Sequence, residues 1–325
     1  MTVLVTGAAG FIGYHVAQAL LARGEAVLGV DNLNDYYDPR LKEARLARLR
    51  DRPGFRFVRA DIQDRALKDK LGDLAGLKRV VHLAAQAGVR YSLTNPFAYL
   101  DSNLAGHLVM LELCRHLPGF EHLVYASSSS VYGGNVKLPF AVEDRVDNPI
   151  SLYAATKKAN ELMSHAYAHL YGVAQTGLRF FTVYGPWGRP DMAMYLFADA
   201  IRAGKPIRVF NHGDMKRDFT YIDDIVAGVL AALDRPPRPE PGRAAERVYN
   251  LGNHRSEPLL RVIGLIEREM GRVAEKRLEP MQPGDVKETF ADIEASTRDL
   301  GFVPRVPVDE GVPRFIAWYR GYNGA

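Results

Sequence analysis

The chain has little of what marks secreted, membrane-spanning or nucleic-acid-binding proteins. Its 325 residues include one cysteine, Cys114, so no disulfide can form within the chain. No apolar run reaches the roughly 18 residues that a membrane span needs, and the opening MTVLVTGAAG lacks a basic leader pattern. The net charge is only +4. We therefore expect a soluble, cytoplasmic protein that binds neither membranes nor nucleic acid.

Basic residues are concentrated in one segment, LKEARLARLRDR at residues 41–52. Acidic residues are interspersed in it, which is more typical of a solvated helix face than of a nucleic-acid patch. We interpret this segment as a basic helix whose charged residues form a solvated face.

Short apolar segments alternate with amphipathic ones in the first half of the chain. TVLVTG, AVLGVD, RVVHLAA and HLVYASS have the pattern of buried strands, and the segments between them have helical periodicity. This alternation predicts an α/β fold with a doubly wound parallel sheet. Past residue 180 the pattern becomes irregular. We expect a domain at 1–178, rejoined by about 217–252, and a smaller mixed α/β lobe at 179–325.

A glycine-rich turn follows the first predicted strand. TGAAGFIG places Gly7, Gly10 and Gly13 where a strand passes into a helix, which allows a close backbone approach to a pyrophosphate. The second strand ends at Asp31, where a carboxylate can accept from ribose hydroxyls and repels a 2′-phosphate. Asp61, after the third strand, is a candidate for the adenine edge. The first domain is therefore interpreted as a Rossmann domain that binds NAD rather than NADP.

A tyrosine and a lysine share one face of a later predicted helix. Tyr153 and Lys157 are four residues apart in SLYAATKKANELM, so both can reach the same space. A phenol with a pKa of about 10 is a poor base at neutral pH, and a neighbouring cation lowers that pKa. Upstream, the run ASSSSVY ends a predicted strand at the edge of the sheet where ligands bind. Serine, tyrosine and lysine together predict proton-transfer chemistry.

With these motifs the chain resembles the extended short-chain dehydrogenase/reductase family, and within it the nucleotide-sugar 4-epimerases and dehydratases. The resemblance runs through TGAAGFIG, LAAQAGVR, DSNLAG, SSSSVYG, YAATK, LRFFTVYGPWGRPDM and RDFTYIDDI. It implies that Tyr153 takes a proton from the sugar O4, that Lys157 lowers the pKa of Tyr153 and holds the nicotinamide ribose, and that Ser128 relays the proton. It also implies a tightly bound NAD that is not consumed.

The resemblance implies further cofactor contacts along the first domain. Together with Tyr153 and Lys157, the expected NAD-binding residues are Gly7, Gly10, Phe11, Ile12, Gly13, Asp31, Asn32, Asp61, Ile62, Leu83, Ala84, Ala85 and Asn103.

The neighbours of Ser128 favour one reaction within the family. In the 4,6-dehydratases the next two residues are acidic, and in the decarboxylases a glutamate precedes the Val-Tyr-Gly. Here these positions are Ser129 and Ser130. With no carboxylate for a second reaction, we expect oxidation and re-reduction at C4 alone.

Three segments are similar to the branch that interconverts UDP-glucuronate and UDP-galacturonate: NDYYDPRLKEARL, QAGVRYSLTNP and GPWGRPDMAMYLF. Oxidation at C4 of a uronate gives a β-keto acid, which loses CO2 unless its carboxylate is held. A guanidinium gives fixed bidentate geometry for this group. Arg189 is the first candidate and Arg90 the second, although either could be structural. The other expected substrate contacts are Ser127, Ser128, Ser129 and Thr182 at the sugar, and Arg217 and Asp285 at the nucleotide.

Other interpretations of the function remain open. The chain could be a UDP-glucose or UDP-N-acetylhexosamine 4-epimerase, a UDP-glucuronate decarboxylase, or a silent dinucleotide-binding regulator. Glu161, His165 and His169 share a helical spacing but lack a metal-site pattern, so we expect no metal and interpret them as a solvated or subunit-interface stripe. The resemblance implies a homodimer through helices near 100–117 and 153–171, with Cys114 as a packing residue.

Overall fold

The computed structural model describes residues 1–282 and 284–324, and a seven-stranded parallel sheet lies at its centre. In chain order the strands are β1 (Thr2–Thr6), β2 (Ala26–Asp31), β3 (Phe55–Arg59), β4 (Leu77–His82), β5 (His122–Ser128), β6 (Gln175–Phe180), β7 (Thr182–Tyr184), β8 (Ile207–Phe210), β9 (Lys216–Arg217), β10 (Phe219–Tyr221), β11 (Glu246–Leu251), β12 (Glu257–Pro258) and β13 (Lys276–Glu279). The helices are α1 (Phe11–Ala22), α2 (Pro39–Arg50), α3 (Leu67–Leu71), α4 (Tyr91–Thr94), α5 (Phe97–Tyr99), α6 (Gly106–Arg115), α7 (Leu152–Tyr171), α8 (Ala193–Arg202), α9 (Ile222–Leu233), α10 (Leu259–Met270), α11 (Glu294–Leu300) and α12 (Val308–Asn323). A π-helical stretch, Leu100–Ala105, leads into α6, and single 3-10 turns occupy Ser129–Tyr132 and Asn211–Gly213.

The central sheet has the order β11-β6-β5-β4-β1-β2-β3, and every pairing in it is parallel. The chain moves outward from β1 to β3, then returns to the other side of β1 with β4. This reversal leaves a crevice outside the carboxyl ends of β1 and β4, which is where such folds bind ligands. The predicted doubly wound α/β fold is therefore confirmed.

The central strands are apolar because helices cover the sheet on both faces. Val3, Leu4 and Val5 in β1 are fully buried, as are Leu123 and Val124 in β5. Their side chains alternate between two separate hydrophobic clusters, one on each side of the sheet. The sheet is thus a rigid platform whose carboxyl edge carries the polar residues discussed below.

The basic side chains of residues 41–52 do not all lie on the solvated face of α2. Lys42 is 6% exposed and Arg45 is 0% exposed, whereas Arg50 on the opposite face lies in solvent. The buried positions recur with helical spacing, so the two cations lie on the same stripe as the leucines of α2. Neighbouring oxygen atoms satisfy them: the Lys42 ammonium donates to the Asn34 carbonyl at 2.7 Å.

The second half of the chain builds a smaller mixed α/β region. Its short strands form three separate pairs, β7 with β10, β8 with β13 and β9 with β12, and α10 packs against α8 and α12. The chain also returns to the central sheet, since β11 pairs along the whole of β6 and α9 packs against α1. The division into lobes at residue 178 stays a prediction.

Cys114 is buried in α6, where desolvation raises the pKa of its thiol. Among the described helices, none is both long and apolar enough to cross a membrane.

Candidate active site

The glycine-rich turn closes tightly over the end of β1. Gly7 has a φ of +72°, and its N–H donates to the Val30 carbonyl at 2.7 Å. A Cβ on Gly13 would lie 1.9 Å from the Gly7 carbonyl oxygen, and a Cβ on Gly7 would lie 2.9 Å from the Ala84 nitrogen. Gly10 precedes α1 and offers no side chain to cap it. The free N–H groups of the first turn are therefore available to an anion such as a pyrophosphate.

Asp31 ends β2 beside this turn. Its carboxylate is 8% exposed and accepts from the backbone N–H groups of Ala9 at 3.1 Å and Leu33 at 2.9 Å. Burial raises the pKa of Asp31, and these two hydrogen bonds oppose the shift. Farther along the edge, the Asn32 side-chain amide donates to the Asp61 carboxylate at 3.1 Å, next to the buried Ile62. The predicted ribose and adenine contacts thus lie together.

Another group of predicted cofactor residues follows β4. Leu83, Ala84 and Ala85 continue from the end of that strand, and the Ala84 N–H donates to the Thr6 hydroxyl at 3.2 Å. Asn103 is buried, and its side chain accepts from the Gln86 N–H at 2.8 Å and donates to the Gln86 carbonyl at 3.1 Å. Asn103 therefore holds the backbone of the segment after β4 in place.

Tyr153 and Ser128 meet at the carboxyl edge of the sheet. The Ser151 hydroxyl caps α7 by accepting from the Ala154 N–H at 3.1 Å, which starts the helix just before Tyr153. Burial raises the pKa of the Tyr153 phenol, while the nearby Ser128 hydroxyl and the charge of Arg189 lower it. Tyr99 packs edge-on against the Tyr153 ring, at 6.0 Å between centroids. A phenol, a hydroxyl and a guanidinium thus lie within electrostatic reach of one another.

Lys157 lies one helical turn beyond Tyr153 and is 4% exposed. Its ammonium group donates to the Ala126 carbonyl at 2.8 Å, near the end of β5. Burial lowers the pKa of Lys157 to about 8. The groups that lower the pKa of Tyr153 in this structure are Ser128 and Arg189, so a contribution from Lys157 stays a prediction.

Arg189 is held by an acidic partner from its own loop. Its Nε donates to the Asp191 carboxylate at 3.0 Å, and the Tyr36 hydroxyl donates to the same carboxylate, also at 3.0 Å. Burial disfavours the charged guanidinium, but Asp191 outweighs that effect and the pKa of Arg189 is raised. Arg189 is thus a permanent cation whose direction is set before any substrate arrives.

A buried ion pair lies beneath the serine run. Arg179 and Glu161 are each 4% exposed and form two hydrogen bonds, of 2.8 and 2.9 Å. The Ser127 hydroxyl donates to Glu161 at 2.7 Å, and Arg179 also donates to the Tyr132 hydroxyl at 3.0 Å. The Ser127 hydroxyl is therefore buried and hydrogen-bonded to Glu161, whereas Ser129 and Thr182 are partly exposed at the edge of the sheet.

This pair corrects the interpretation of Glu161, His165 and His169 as one solvated or subunit-interface stripe, because Glu161 does not belong to it. Glu161 is buried against Arg179, while His165 is 63% exposed and faces Glu246 at 3.4 Å. Their helical spacing does not put the three side chains in one environment, because Glu161 points toward the strand ends that α7 covers.

The residues predicted for the nucleotide form a cluster of their own. Arg217 donates to the Asp285 carboxylate at 2.8 Å, and Arg90 approaches the other oxygen of that carboxylate at 3.4 Å. The Arg90 guanidinium also lies over the Phe210 ring, 4.5 Å from its centroid. Arg90, the second candidate for a carboxylate clamp, thus joins the nucleotide cluster and not Arg189.

Sequence reasoning missed four contributors to the site: Tyr36, Asp191, Tyr99 and Arg179. Tyr36, Tyr99 and Arg179 act through partners farther away in the chain, so no local spacing could reveal them. Asp191 is only two residues from Arg189, and the short Arg-Pro-Asp segment was the signal for it. Only the i, i+4, i+8 spacing of Tyr153, Lys157 and Glu161 hinted that α7 carries a polar stripe inward.

Comparison with known proteins gives one family match and close full-length relatives. The profile of the "NAD dependent epimerase/dehydratase family" matches residues 3–252. A protein of Arabidopsis thaliana named "UDP-glucuronate 4-epimerase 4" is 50% identical over 332 residues, covering 99% of this chain and 76% of the relative. A "Probable UDP-glucuronate 4-epimerase" of Rhizobium meliloti (strain 1021) is 49% identical, covering 98% of this chain and 97% of the relative.

A solved structure is similar over the whole chain. The UDP-glucuronic acid 4-epimerase from Bacillus cereus, in complex with UDP-glucuronic acid and NAD, superposes with a TM-score of 0.89 at 34% identity. The match covers 99% of this chain and 100% of that one.

Proposed function

This chain belongs to the NAD dependent epimerase/dehydratase family, and from that membership we propose that it inverts C4 of UDP-glucuronate to give UDP-galacturonate, with NAD as cofactor. The relatives named for this activity cover nearly the whole chain. One observation carries the proposal: Tyr153 at the start of α7 and Ser128 at the end of β5 lie close enough that Ser128 and the charge of Arg189 both lower the pKa of the phenol, against the larger effect of burial. A base for O4 and a cation for the carboxylate thus share one site.

The chain's residues fit NAD. A Cβ at Gly7 or Gly13 would collide with the backbone around the glycine-rich turn, so the absence of side chains there keeps the turn tight. The start of α1 has no side-chain cap, and its free N–H groups suit a pyrophosphate. The Asp31 carboxylate at the end of β2 suits ribose hydroxyls and disfavours a 2′-phosphate. When bound, NAD supplies the carbon that accepts a hydride from C4 and returns it to the opposite face of C4.

Tyr153 and Ser128 move the O4 proton. Burial raises the pKa of the phenol, and the nearby Ser128 hydroxyl and the Arg189 charge make its deprotonation easier. We assign Tyr153 as the base that takes the proton from O4 and later returns it. We assign the Ser128 hydroxyl as the relay between O4 and the Tyr153 phenol. Lys157, one turn after Tyr153 on α7, supplies positive charge.

Arg189 protects the uronate from losing CO2. A ketone at C4 lets the bond from C5 to the carboxyl carbon break easily, unless the carboxylate is kept away from the perpendicular orientation. A guanidinium that is already oriented by Asp191 can hold that group in one plane. Neither Ser129 nor Ser130 can act as the acid that a dehydratase or decarboxylase uses.

The nucleotide end remains fixed while the sugar turns. We assign the diphosphate to Arg217 and Arg90, and a ribose to Asp285, because these three side chains already form one cluster. Asp285 lowers the electrostatic cost of holding two guanidinium groups close together before the anion arrives.

We also propose two lobes that divide near residue 178, a cytoplasmic location and a homodimer. The dimer is supported by apolar side chains exposed on α6 and α7, where Leu108, Leu162 and Leu170 are 42%, 60% and 65% exposed. Because α6 and α7 pack against each other, apolar side chains exposed on both helices can contribute to one interaction surface.

The test offers UDP-glucuronate and UDP-glucose separately to the purified protein and identifies the products. We expect UDP-galacturonate from the first and little turnover of the second. Tyr153→Phe should abolish turnover while the protein still binds NAD. Tyr167→Phe, near the C-terminal end of the same helix, serves as the matched control. Turnover of UDP-glucose alone, or a pentose as main product, would contradict the proposal.

A further inference from the structure

The loop that carries Arg189 is anchored to the cofactor half of the protein. We call residues 185–189, between β7 and α8, the clamp loop. The His15 ring Nε2 on α1 lies 2.9 Å from the Pro186 carbonyl oxygen, and Arg45 on α2 reaches the carbonyls of Trp187 and Gly188. The clamp loop therefore takes its position from α1 and α2, which flank the glycine-rich turn.

The backbone of the clamp loop needs such anchoring. Trp187 has a φ of +62°, a conformation that is rare for a bulky residue and persists only when neighbours enforce it. The Trp187 ring packs against Trp318 at 5.3 Å and Tyr14 at 5.8 Å between centroids. Side-chain packing and the carbonyl contacts of Arg45 thus act on the same residue.

Arg45 connects the clamp loop directly to the glycine-rich turn. Its Nε and Nη2 donate to the Trp187 carbonyl at 3.1 and 2.6 Å, and Nη2 also donates to Gly188 at 3.2 Å. Its Nη1 donates to the Ala9 carbonyl at 3.0 Å and to the Tyr37 hydroxyl at 2.6 Å. Ala9 lies inside the glycine-rich turn, so one planar guanidinium bridges the two loops that the reaction must keep in register.

The chemistry of this contact is costly and specific. Arg45 is fully buried, and among the described residues its hydrogen-bond partners are carbonyl and hydroxyl oxygens rather than carboxylates. A buried cation without a paired anion loses hydration free energy that neutral oxygens only partly restore. A leucine at this position of α2 would suffice for packing. The five directed donors of arginine are needed only if both loops must be held at a set distance.

We infer that Arg45 is a positioning residue: it ties the clamp loop to the glycine-rich turn so that Arg189 meets the carboxylate of the substrate in a fixed orientation. This inference rests on the proposed function, and it concerns the orientation of Arg189 toward the carboxylate of the sugar. Arg45 contacts neither the nucleotide cluster of Arg217 and Asp285 nor Tyr153.

The test measures how well the protein distinguishes two ligands that differ only at C6. Calorimetry on the NAD-loaded protein compares UDP-glucuronate with UDP-glucose for the wild type, Arg45→Lys and Arg45→Met. Arg50→Met is the matched control, because Arg50 is on the same helix, 53% exposed, and 3.6 Å from Glu43. Misplacing Arg189 weakens a charge-assisted hydrogen bond to the carboxylate, so the affinity ratio should fall about tenfold or more.

A lysine keeps the charge but cannot reach both loops, so Arg45→Lys should show the same loss as Arg45→Met. Affinity for UDP-glucose should stay within about twofold of the wild-type value. Product analysis should show more carbon lost as CO2: the bond from C5 to the carboxyl carbon breaks, its electron pair passes to the C4 ketone as an enolate, and protonation at C5 leaves a 4-ketopentose.

An unchanged affinity ratio and unchanged CO2 release in a folded Arg45→Lys protein would overturn the inference. Equal losses for both ligands, or failure of both variants to fold with NAD bound, would also overturn it, because either result assigns Arg45 to stability alone. A wild-type protein that epimerises only UDP-glucose would instead refute the proposed function, and the inference with it.

Discussion

Replacing Glu161 with glutamine should destabilise the protein strongly, because it breaks a buried ion pair from one side. The substitution keeps the shape of the side chain but removes its charge. Arg179, which is 4% exposed, would then retain a buried charge without its anion, and one of its N–H groups would face an amide N–H. The Ser127 hydroxyl would also lose a charged acceptor at 2.7 Å.

The magnitude follows from burial and geometry. Breaking one side of a buried, hydrogen-bonded pair costs about 3–5 kcal/mol of the free energy of unfolding. The two bonds of 2.8 and 2.9 Å and the low exposure of both side chains place Glu161 in that class. The pair of Arg208 and Glu279 has the same two-bond geometry, but its side chains are 63% and 27% exposed. Glu279→Gln should therefore cost less than about 1 kcal/mol.

Urea unfolding followed by circular dichroism measures both variants under the same conditions. Replacing both members of the buried pair with apolar residues, as in Glu161→Leu with Arg179→Met, should recover much of the loss, because no charge is left unpaired. If Glu161→Gln and Glu279→Gln shift the transition equally, the reasoning from burial is refuted.

The same comparison predicts how the difference depends on pH. Burial opposes the ionised form of Glu161, but Arg179 outweighs it and holds the pKa of this carboxyl below its ordinary value. The folded state thus binds the proton less readily than the unfolded state. The stabilisation is complete above the unfolded pKa of about 4.3 and is lost as the pH falls through the lower folded value. Wild type and Glu161→Gln should converge in stability only in acid below that range.

Three further results are expected. Gly13→Ala should abolish retention of NAD in the purified protein, since the added Cβ would lie 1.9 Å from the Gly7 oxygen. In the control, Gly264→Ala in α10, the added Cβ has nothing within 4 Å and should stabilise the protein by about 0.5–1 kcal/mol. Retention of NAD by Gly13→Ala would contradict the assignment of the glycine-rich turn to the pyrophosphate. Burial lowers the pKa of Lys157 to about 8, so its charge is present below that pH and lost above it. We therefore expect kcat/KM to fall on the alkaline side, and Lys157→Arg to move that fall to higher pH. A profile that stays flat to roughly pH 9 would count against a role for the charge of Lys157 in catalysis. Leu162→Glu should convert a dimer into monomers by light scattering, and an unchanged mass would exclude α7 from the interface.

Much of the fold and the centre of the site could be predicted because their signals are local. The glycine spacing, the acidic end of β2 and the i, i+4 pair of Tyr153 and Lys157 each express one constraint within a short segment. Parallel strands bring their carboxyl ends to one edge, so predicting the strands also predicts that Ser128 lies near the glycine-rich turn.

The remaining features depend on contacts that only the folded chain creates. In the sequence, Arg45 looks like one of several solvated arginines on α2, because its partner Trp187 is 142 positions away in the chain. The position of Arg90 follows from the late residue Asp285 in the same manner. A buried stripe that contains cations looks polar in sequence, because periodicity identifies apolar faces and not charged side chains that find oxygen acceptors inside.

The late arrival of β11 affects how the protein can be made and divided. β11 covers the outer edge of β6, but residues 181–245 separate the two strands in the chain. Until β11 emerges during synthesis, the hydrogen-bonding groups of β6 form an open edge that can pair with another chain. A fragment that stops shortly after residue 180 should therefore aggregate, and the cofactor-binding half cannot be excised at that point as an independent module.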